Sequence, residues 1–259
     1  MKPQLSPNDL SEIIDVALFA GQLLLQHGAE TARIEETVHR VGTALGCDWM
    51  DVLVSPNAII ATTVSGTEFR TKVRRVVTLG VNMATVAAVN DLSRAVEAGL
   101  LDREQARAEL GRISHLPRYN PWLVGLMVGL ACASYSRLFG GDWYAFAVSF
   151  VAASIAAWLR QALMLRHFNT QLVVVAIAFV AGLLASLGVR SGLSATPGPA
   201  LTASVILLVP GVHMINAVED LIKGHVMTGI ARGAIALLII TGIALGLLLA
   251  MSLVGITDL

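Results

Sequence analysis

This chain is short of charge, of cysteine and of the loops that mark nucleotide chemistry. Charged residues make up 14% of it and balance to a formal net charge of zero. A neutral chain offers no basic face to nucleic acid, so that partner class is set aside. There are two cysteines, Cys47 and Cys132, one in the charged part and one in an apolar run. Neither a disulfide nor a Cys/His metal cluster is therefore expected. No Walker or dinucleotide-binding glycine loop occurs, which leaves no sign of ATP-driven pumping. Ser/His/Asp catalysis lacks its nucleophile elbow. The expectation is no catalytic residue, no cofactor and no metal. Residues 1–9 are polar and lack the apolar centre of a secretory signal.

What the chain does have is unevenly spread. Residues 1–120 carry 26 of the 36 charged residues, and the ten in 121–259 sit between long apolar runs. The whole is 55% hydrophobic with a mean hydropathy of +0.71, too apolar for an ordinary soluble protein. A backbone crossing hydrocarbon must satisfy its own hydrogen bonds, so runs of about 20 apolar residues read as membrane helices. The expected fold is a membrane α-helical bundle of about five transmembrane helices behind an N-terminal cytoplasmic α+β domain. The division falls at 1–118 and 119–259. The spans are about 122–138, 143–159, 170–189, 199–218 and 233–254, the second at the short limit. With the N-terminus inside, the inner side holds Arg112, Arg118, Arg160, Arg166, Lys223 and Arg232, against Arg137 and Arg190 outside. That bias places the N-terminus in the cytoplasm and the C-terminus outside. Gly125 and Gly129, Gly242 and Gly246, and the small residues Ser149, Ala153 and Ala157 permit close helix contact.

Ser6-Pro7 is a helix start, an N-cap followed by proline in the first turn. Apolar residues then recur at three and four to Leu25, and Gly28 ends the helix. A second helix spans 30–45. Period-two patterning follows at 49–54, 57–64 and 68–76, broken by Ser55-Pro56 and Ser65-Gly66. Helical signals return over 82–98 and 102–115. The order α-α-β-β-β-α-α makes a unit of about 115 residues, enough for its own core.

Two clusters carry chemistry. Gly28, Glu30, Thr31, Arg33 and Glu35 crowd a helix start. One reading is ordinary: acids complement the helix dipole, and Glu36 pairs with Arg40. The other is a polar site at a helix N-terminus, binding a ligand or a neighbouring subunit. The second cluster is Pro210, Gly211, His213, Asn216, Glu219 and Asp220. Pro210 removes a backbone donor and Gly211 loosens the helix, so a kink or break is expected there. His213, Asn216 and Asp220 share one face, with Glu219 beside it. Polar groups at membrane depth are costly and face a cavity or a partner. The plain alternative is a proline kink with a satisfied histidine and interfacial acids. A broken helix bearing a polar stripe is also how transporters build sites at the bilayer midplane. The remaining histidines, His27, His39, His115, His167 and His225, read as surface or cap residues.

HGAETARIEETVHRVGTALG, followed by strands around SPNAII, resembles the start of the threonine/serine exporter family. LLVPGVHMINAVEDLIKGH resembles that family's Pro-Gly membrane segment, and GIARG at 229–233 fits it. The resemblance implies export of small amino acids such as threonine and serine or, in split two-component forms, of small dicarboxylates such as succinate, driven by the proton gradient. Full-length members resemble a double unit of about ten spans, the second half inverted. One soluble domain and five spans therefore resemble the larger component of a split exporter in the bacterial inner membrane. The implied partner is a short membrane protein of about 150 residues, room for a matching set of spans. Homo-oligomerisation is a further expectation. The alternative functions are a non-transporting membrane sensor or scaffold, and a membrane-anchored hydrolase using Glu30, Glu35 or His39 as acid or base.

Overall fold

The computed structural model describes residues 5–77, 80–117, 119–166 and 168–256. Arg118, expected at the inner side, His167, and the chain's first and last residues lie outside them. The chain divides into two compact units, Met1–Pro117 with Gly211–Ala234, and Arg118–Pro210 with Ile235–Leu259. The first therefore takes in a segment that the linear division at 118 assigns to the membrane part.

In the first unit α1 spans Pro7–Gln26, with Ser6 Oγ accepting the Asp9 amide at 3.2 Å and Pro7 in its first turn. Gly28 ends it in the left-handed region at φ +88°, which glycine adopts without strain. The second helix α2 is Thr31–Ala44. Three antiparallel strands follow in the order β1-β2-β3: Trp49–Ser55, Ala58–Ser65 and Glu68–Arg75. The helices α3, Met83–Glu97, and α4, Arg103–Ser114, are capped by Asn82 and Asp102. All seven elements lie within a residue or two of the spans read from the sequence. Leu10, Ile14, Leu18, Leu24, Ile34, Met50, Ile59 and Leu110 are fully buried at their centre. Each such side chain contributes about 1.5–3 kcal/mol. Gly21 lets α1 lie against α2 and the sheet: a Cβ there would stand 2.5 Å from Val38 and 3.0 Å from Ile59.

In the second unit α5 is Pro121–Leu138, α6 Trp143–Leu165, α7 Thr170–Arg190 and α8 Pro197–Val205, followed by a 3-10 turn, Ile206–Leu208. Next come α9, Gly211–Ile222, which lies in the first unit, and α10, Val226–Val254, which contributes to both. Two helices extend past the spans expected from the sequence. The helix α6 runs to Leu165, not 159, because Gln161-Ala162-Leu163-Met164-Leu165 are strong helix formers. Arg160 is thus inside a helix rather than in its flanking loop. Likewise α10 begins at Val226, seven residues before 233, which brings Arg232 into a helix. The fourth expected span is broken: α8 with the turn and α9 are bent by 65° at Val209-Pro210. Among the described residues three helices are long and apolar enough to cross a membrane, α6, α7 and α10, or four spans result if the bent pair counts as one. The helix α5 has 18 residues, and Pro121, Tyr135 and Arg137 dilute its apolar run, so it is not among them.

The glycines of the second unit act as contact points inside it. A Cβ on Gly129 would meet Ser154 Oγ at 1.9 Å and the Phe150 carbonyl at 2.9 Å, so α5 and α6 touch there. On α10, a Cβ at Gly246 would meet the Val175 carbonyl at 2.5 Å and the Phe179 amide nitrogen at 2.8 Å, backbone that cannot yield. At Gly242 the nearest atoms are side-chain methyls at 3.2 and 3.5 Å. Overpacking a close contact costs about 1–3 kcal/mol. Gly246→Ala is therefore expected to lower the thermal midpoint of the detergent-solubilised chain by several degrees, and Gly242→Ala by much less. Equal midpoints for the two variants would show that α7 and α10 do not pack this way.

Candidate functional site

The first unit holds an ion network built from the start of α2 and the α9–α10 turn. Two backbone bonds fix the end of α1: Gly80 N–H donates to the Gln26 carbonyl at 2.8 Å, and Asn82 N–H to that of His27 at 3.1 Å. Gly28 then turns the chain, Glu30 is extended, and α2 starts at Thr31. The first amides of a helix have no partner within it. Glu30 is the N-cap residue, yet its side chain makes no cap bond; it turns to Lys223, whose Nζ lies 3.3 Å from Oε1.

Asp220 supplies the missing acceptor from 189 positions away. Its Oδ1 accepts the Thr31 amide and its Oδ2 the Thr31 hydroxyl, both at 3.0 Å. The residue is 0% exposed, and so is Thr31. A buried carboxylate needs a counter-charge, and Arg232 of α10 provides it, Nη1 lying 3.0 Å from Oδ2. That nitrogen is off the hydrogen-bond line, so the contact is an ion pair alone. Arg232 Nη2 donates to the Ala29 carbonyl at 2.8 Å, and Asn216 Nδ2 to the Gly28 carbonyl at 2.8 Å. The helix dipole and the guanidinium thus face one carboxylate.

Around this core lies a second layer of charge. Lys223 Nζ is 2.7 Å from Glu219 as well as 3.3 Å from Glu30, and Arg33 lies 3.6 Å from Glu30. His225 Nδ1 is 3.7 Å from Glu35. Burial pushes the Glu30 carboxyl above its usual range, and the neighbouring Glu219 pushes the same way, while Lys223 opposes them. Burial also raises Glu35, against the attraction of His225.

The two sequence clusters therefore meet. Gly28, Glu30, Thr31, Arg33 and Glu35 share one network with Asn216, Glu219 and Asp220. Gly211 opens α9, and Pro210 belongs to the second unit. His213 is half-buried, feels the charge of Arg232, and has no hydrogen-bond partner among the described residues. His39 is occupied elsewhere, its Nδ1 2.8 Å from the Met50 carbonyl and its ring edge-on to Trp49. Arg232, Lys223 and His225 escaped the sequence reading, where the two cations counted only as loop flanks. A helix start at residue 31 without its own cap was the available signal that a distant acceptor was required.

A chain with several apolar helices, a small three-stranded sheet and a charged network of this kind is a multi-pass membrane protein. The family model for threonine/serine exporters matches residues 15–254, and the chain belongs to that family, one of exporters and not of enzymes. A protein of Escherichia coli strain K12 named "Probable succinate transporter subunit YjjP" is 42% identical over 216 residues, 82% of this chain and 83% of that one. Its namesake from Klebsiella aerogenes is 42% identical over 210 residues, 81% of each. A "Threonine/serine exporter" of Corynebacterium glutamicum is 26% identical over 245 residues, 88% of this chain but 50% of that protein. No solved structure matches the chain.

Breaking one side of a buried ion pair costs about 3–5 kcal/mol, because the other charge is stranded. Asp220→Asn and Arg232→Gln are each expected to lower the thermal midpoint of the full chain by several degrees. The double variant should recover at least half of the summed loss. Strictly additive losses would show the two groups to be uncoupled.

The raised carboxyls also set a pH dependence. Glu30 and Glu35 hold their protons more tightly in the folded chain than in the unfolded one. Their contribution to stability is complete below the ordinary value of 4.5 and is lost as pH climbs through the raised values. The midpoint of Glu30→Gln relative to the natural chain should therefore rise with pH across that window. A difference that stays constant with pH would remove Glu30 as a titrating member of the network.

Proposed function

We propose that this chain is one subunit of a secondary exporter that moves a small carboxylate, either a dicarboxylate such as succinate or a small amino acid such as threonine or serine. It draws on the proton gradient and works with a small membrane partner of about 150 residues, room for the missing spans. The word "subunit" in the names of the 42% relatives supports a partner, and so does the twofold length of the corynebacterial relative. The chain sits in the bacterial inner membrane with its N-terminus cytoplasmic and its C-terminus outside. The five spans are α6, α7, the bent pair α8–α9, α10 and the shorter, less apolar α5. The Lys/Arg bias carries this orientation. The apolar outer face of α9, with Ile215, Val218 and Ile222 exposed and Asn216 and Asp220 turned inward, suits a helix bathed in lipid.

The observation that carries the mechanism is the buried Asp220 carboxylate, which ties the Pro-Gly segment to the start of α2. We read this tie as a clamp that opens and recloses during transport. Protonation of Glu30 weakens its hold on Lys223 and frees α9 to move, which couples the proton to the substrate. His213, half-buried beside the clamp and without a hydrogen bond, is the second candidate for the proton. The freed backbone at Pro210-Gly211 faces the substrate path.

The test is efflux of labelled succinate, threonine and serine from cells carrying the chain and its partner, with and without an imposed pH gradient. Asp220→Asn, Glu219→Gln and His213→Gln are compared with the natural chain. At least one variant is expected to lose gradient-driven efflux by about tenfold or more, a barrier change of about 1.4 kcal/mol, while remaining folded in the membrane. If all three retain natural rates and natural gradient dependence, the network is packing, and the transport site lies elsewhere.

A further inference from the structure

The second unit has a charge imbalance of its own. Among its described residues Asp142 is the sole acid, beside Arg137, Arg160, Arg166 and Arg190. Asp142 is fully engaged: it caps α6 through the Ala145 amide at 2.6 Å and holds the Ala195 amide at 2.7 Å and the Ser194 hydroxyl. Arg137 lies over the Trp143 ring and donates to the Gly141 carbonyl, and Arg190 donates to the Val254 carbonyl. Arg166 follows the last turn of α6 and is exposed. Arg160 is exposed as well. It lies within α6, and among the described residues it has neither an ion pair nor a hydrogen bond. A separation of 18 positions from Asp142 puts about 27 Å of helix between the two charges, beyond any useful attraction.

Arg160 borders a cleft of about 310 Å³. The cleft walls are apolar, with Val128 of α5, Ala157 and Met164 of α6 and Leu207 of the 3-10 turn. Its polar side chains are Arg160 and Gln161, and Gln161 donates to the Pro121 carbonyl at 3.4 Å, which leaves its own carbonyl free to turn to a ligand. Small-molecule sites are built this way: a mostly apolar pocket of about 300–1,000 Å³ with a few placed polar groups. An exposed, unpaired arginine five residues from the end of a helix apolar enough to span a membrane is open to an anion. A guanidinium matches the two oxygens of a carboxylate as a fork.

We propose that this cleft binds a small carboxylate, with the Arg160 guanidinium pairing one carboxylate group and the apolar walls taking the carbon chain. The inference rests on the exporter reading for its choice of ligand and deepens it by naming a site. Leu207 stands three residues before Pro210, so the cleft adjoins the point where the bent pair breaks, and movement of that break changes the cleft wall.

The test measures binding of succinate, with threonine as a second probe, to the full chain in phosphatidylcholine nanodiscs. Arg160→Gln is expected to weaken succinate binding at least about tenfold, as loss of a charge-assisted bidentate contact does. Arg160→Lys should weaken it by a smaller factor. Val128→Phe, which fills the cleft and leaves the charge in place, should weaken it as well and keeps the test open if Arg160→Gln misfolds. Natural affinity in both Arg160→Gln and Val128→Phe overturns the proposal, as does absence of succinate binding by the natural chain. A natural chain whose succinate affinity is unchanged by Arg160→Gln, but whose retained phosphatidylglycerol is lost, overturns it in favour of a lipid phosphate at Arg160. Efflux assays judge the exporter reading separately. Unimpaired efflux in both cleft variants removes this site alone, whereas absence of efflux by the natural chain with its partner removes the exporter reading and leaves the cleft to stand on binding.

Discussion

Asp220 is fully buried, and the groups that satisfy it come from two places far from each other in sequence. Thr31 presents the open start of a helix, and Arg232 presents a charge from another. Removing a carboxylate from water is expensive, and a buried pair rarely repays that cost against apolar side chains of the same volume. What such a pair does supply is a defined arrangement that fails when either member changes state. The start of α2 has no cap of its own, so its geometry depends on α9 being in place. In turn α9 carries Asn216 against the Gly28 carbonyl, and Gly28 holds the sharp end of α1. One ionisable group therefore sets the position of three elements.

This dependence gives the Pro-Gly break a mechanical meaning. A continuous span would transmit displacement along its length. The bend of 65° at Val209-Pro210 interrupts that length, and α8 is packed within the second unit, where Ser149 donates to the Ala200 carbonyl at 3.3 Å. Gly224, at φ +87°, allows the tight turn from α9 into α10. Gly229 permits the close approach that follows, since a Cβ there would meet Leu221 at 2.8 Å and the Ala217 carbonyl at 3.0 Å. The ion network is thus mounted on the turn that joins α9 to α10.

Much of the fold was legible locally. The proline and serine at the start of α1, the period-two runs of the sheet and the N-cap residues Asn82 and Asp102 lie next to the structures they specify. Helix ends were less legible where no cap residue marks them. The apolar, helix-forming run past residue 159 carried α6 beyond its expected end, and α10 started seven residues early because a charge, Arg232, read as a loop flank. The candidate residues themselves stood out as polar groups in apolar or helix-terminal settings. That the two clusters form one network did not, because periodicity describes neighbours at three, four or two positions, and the tie spans 189. The only local trace was a helix start without a capping side chain, which requires an acceptor without naming it.

In the proposed exporter the Asp220 tie opens during transport. Hydrogen exchange at the Thr31 amide reports it directly, because that amide donates to Asp220 and to nothing else in the network. The measurement is made on the chain with its partner in liposomes, first at rest and then with a pH gradient and substrate present. Slow exchange at rest and clearly faster exchange during turnover are expected, with the amides at the centre of α1 unchanged. Equally slow exchange at Thr31 in both conditions, with substrate moving, would contradict it.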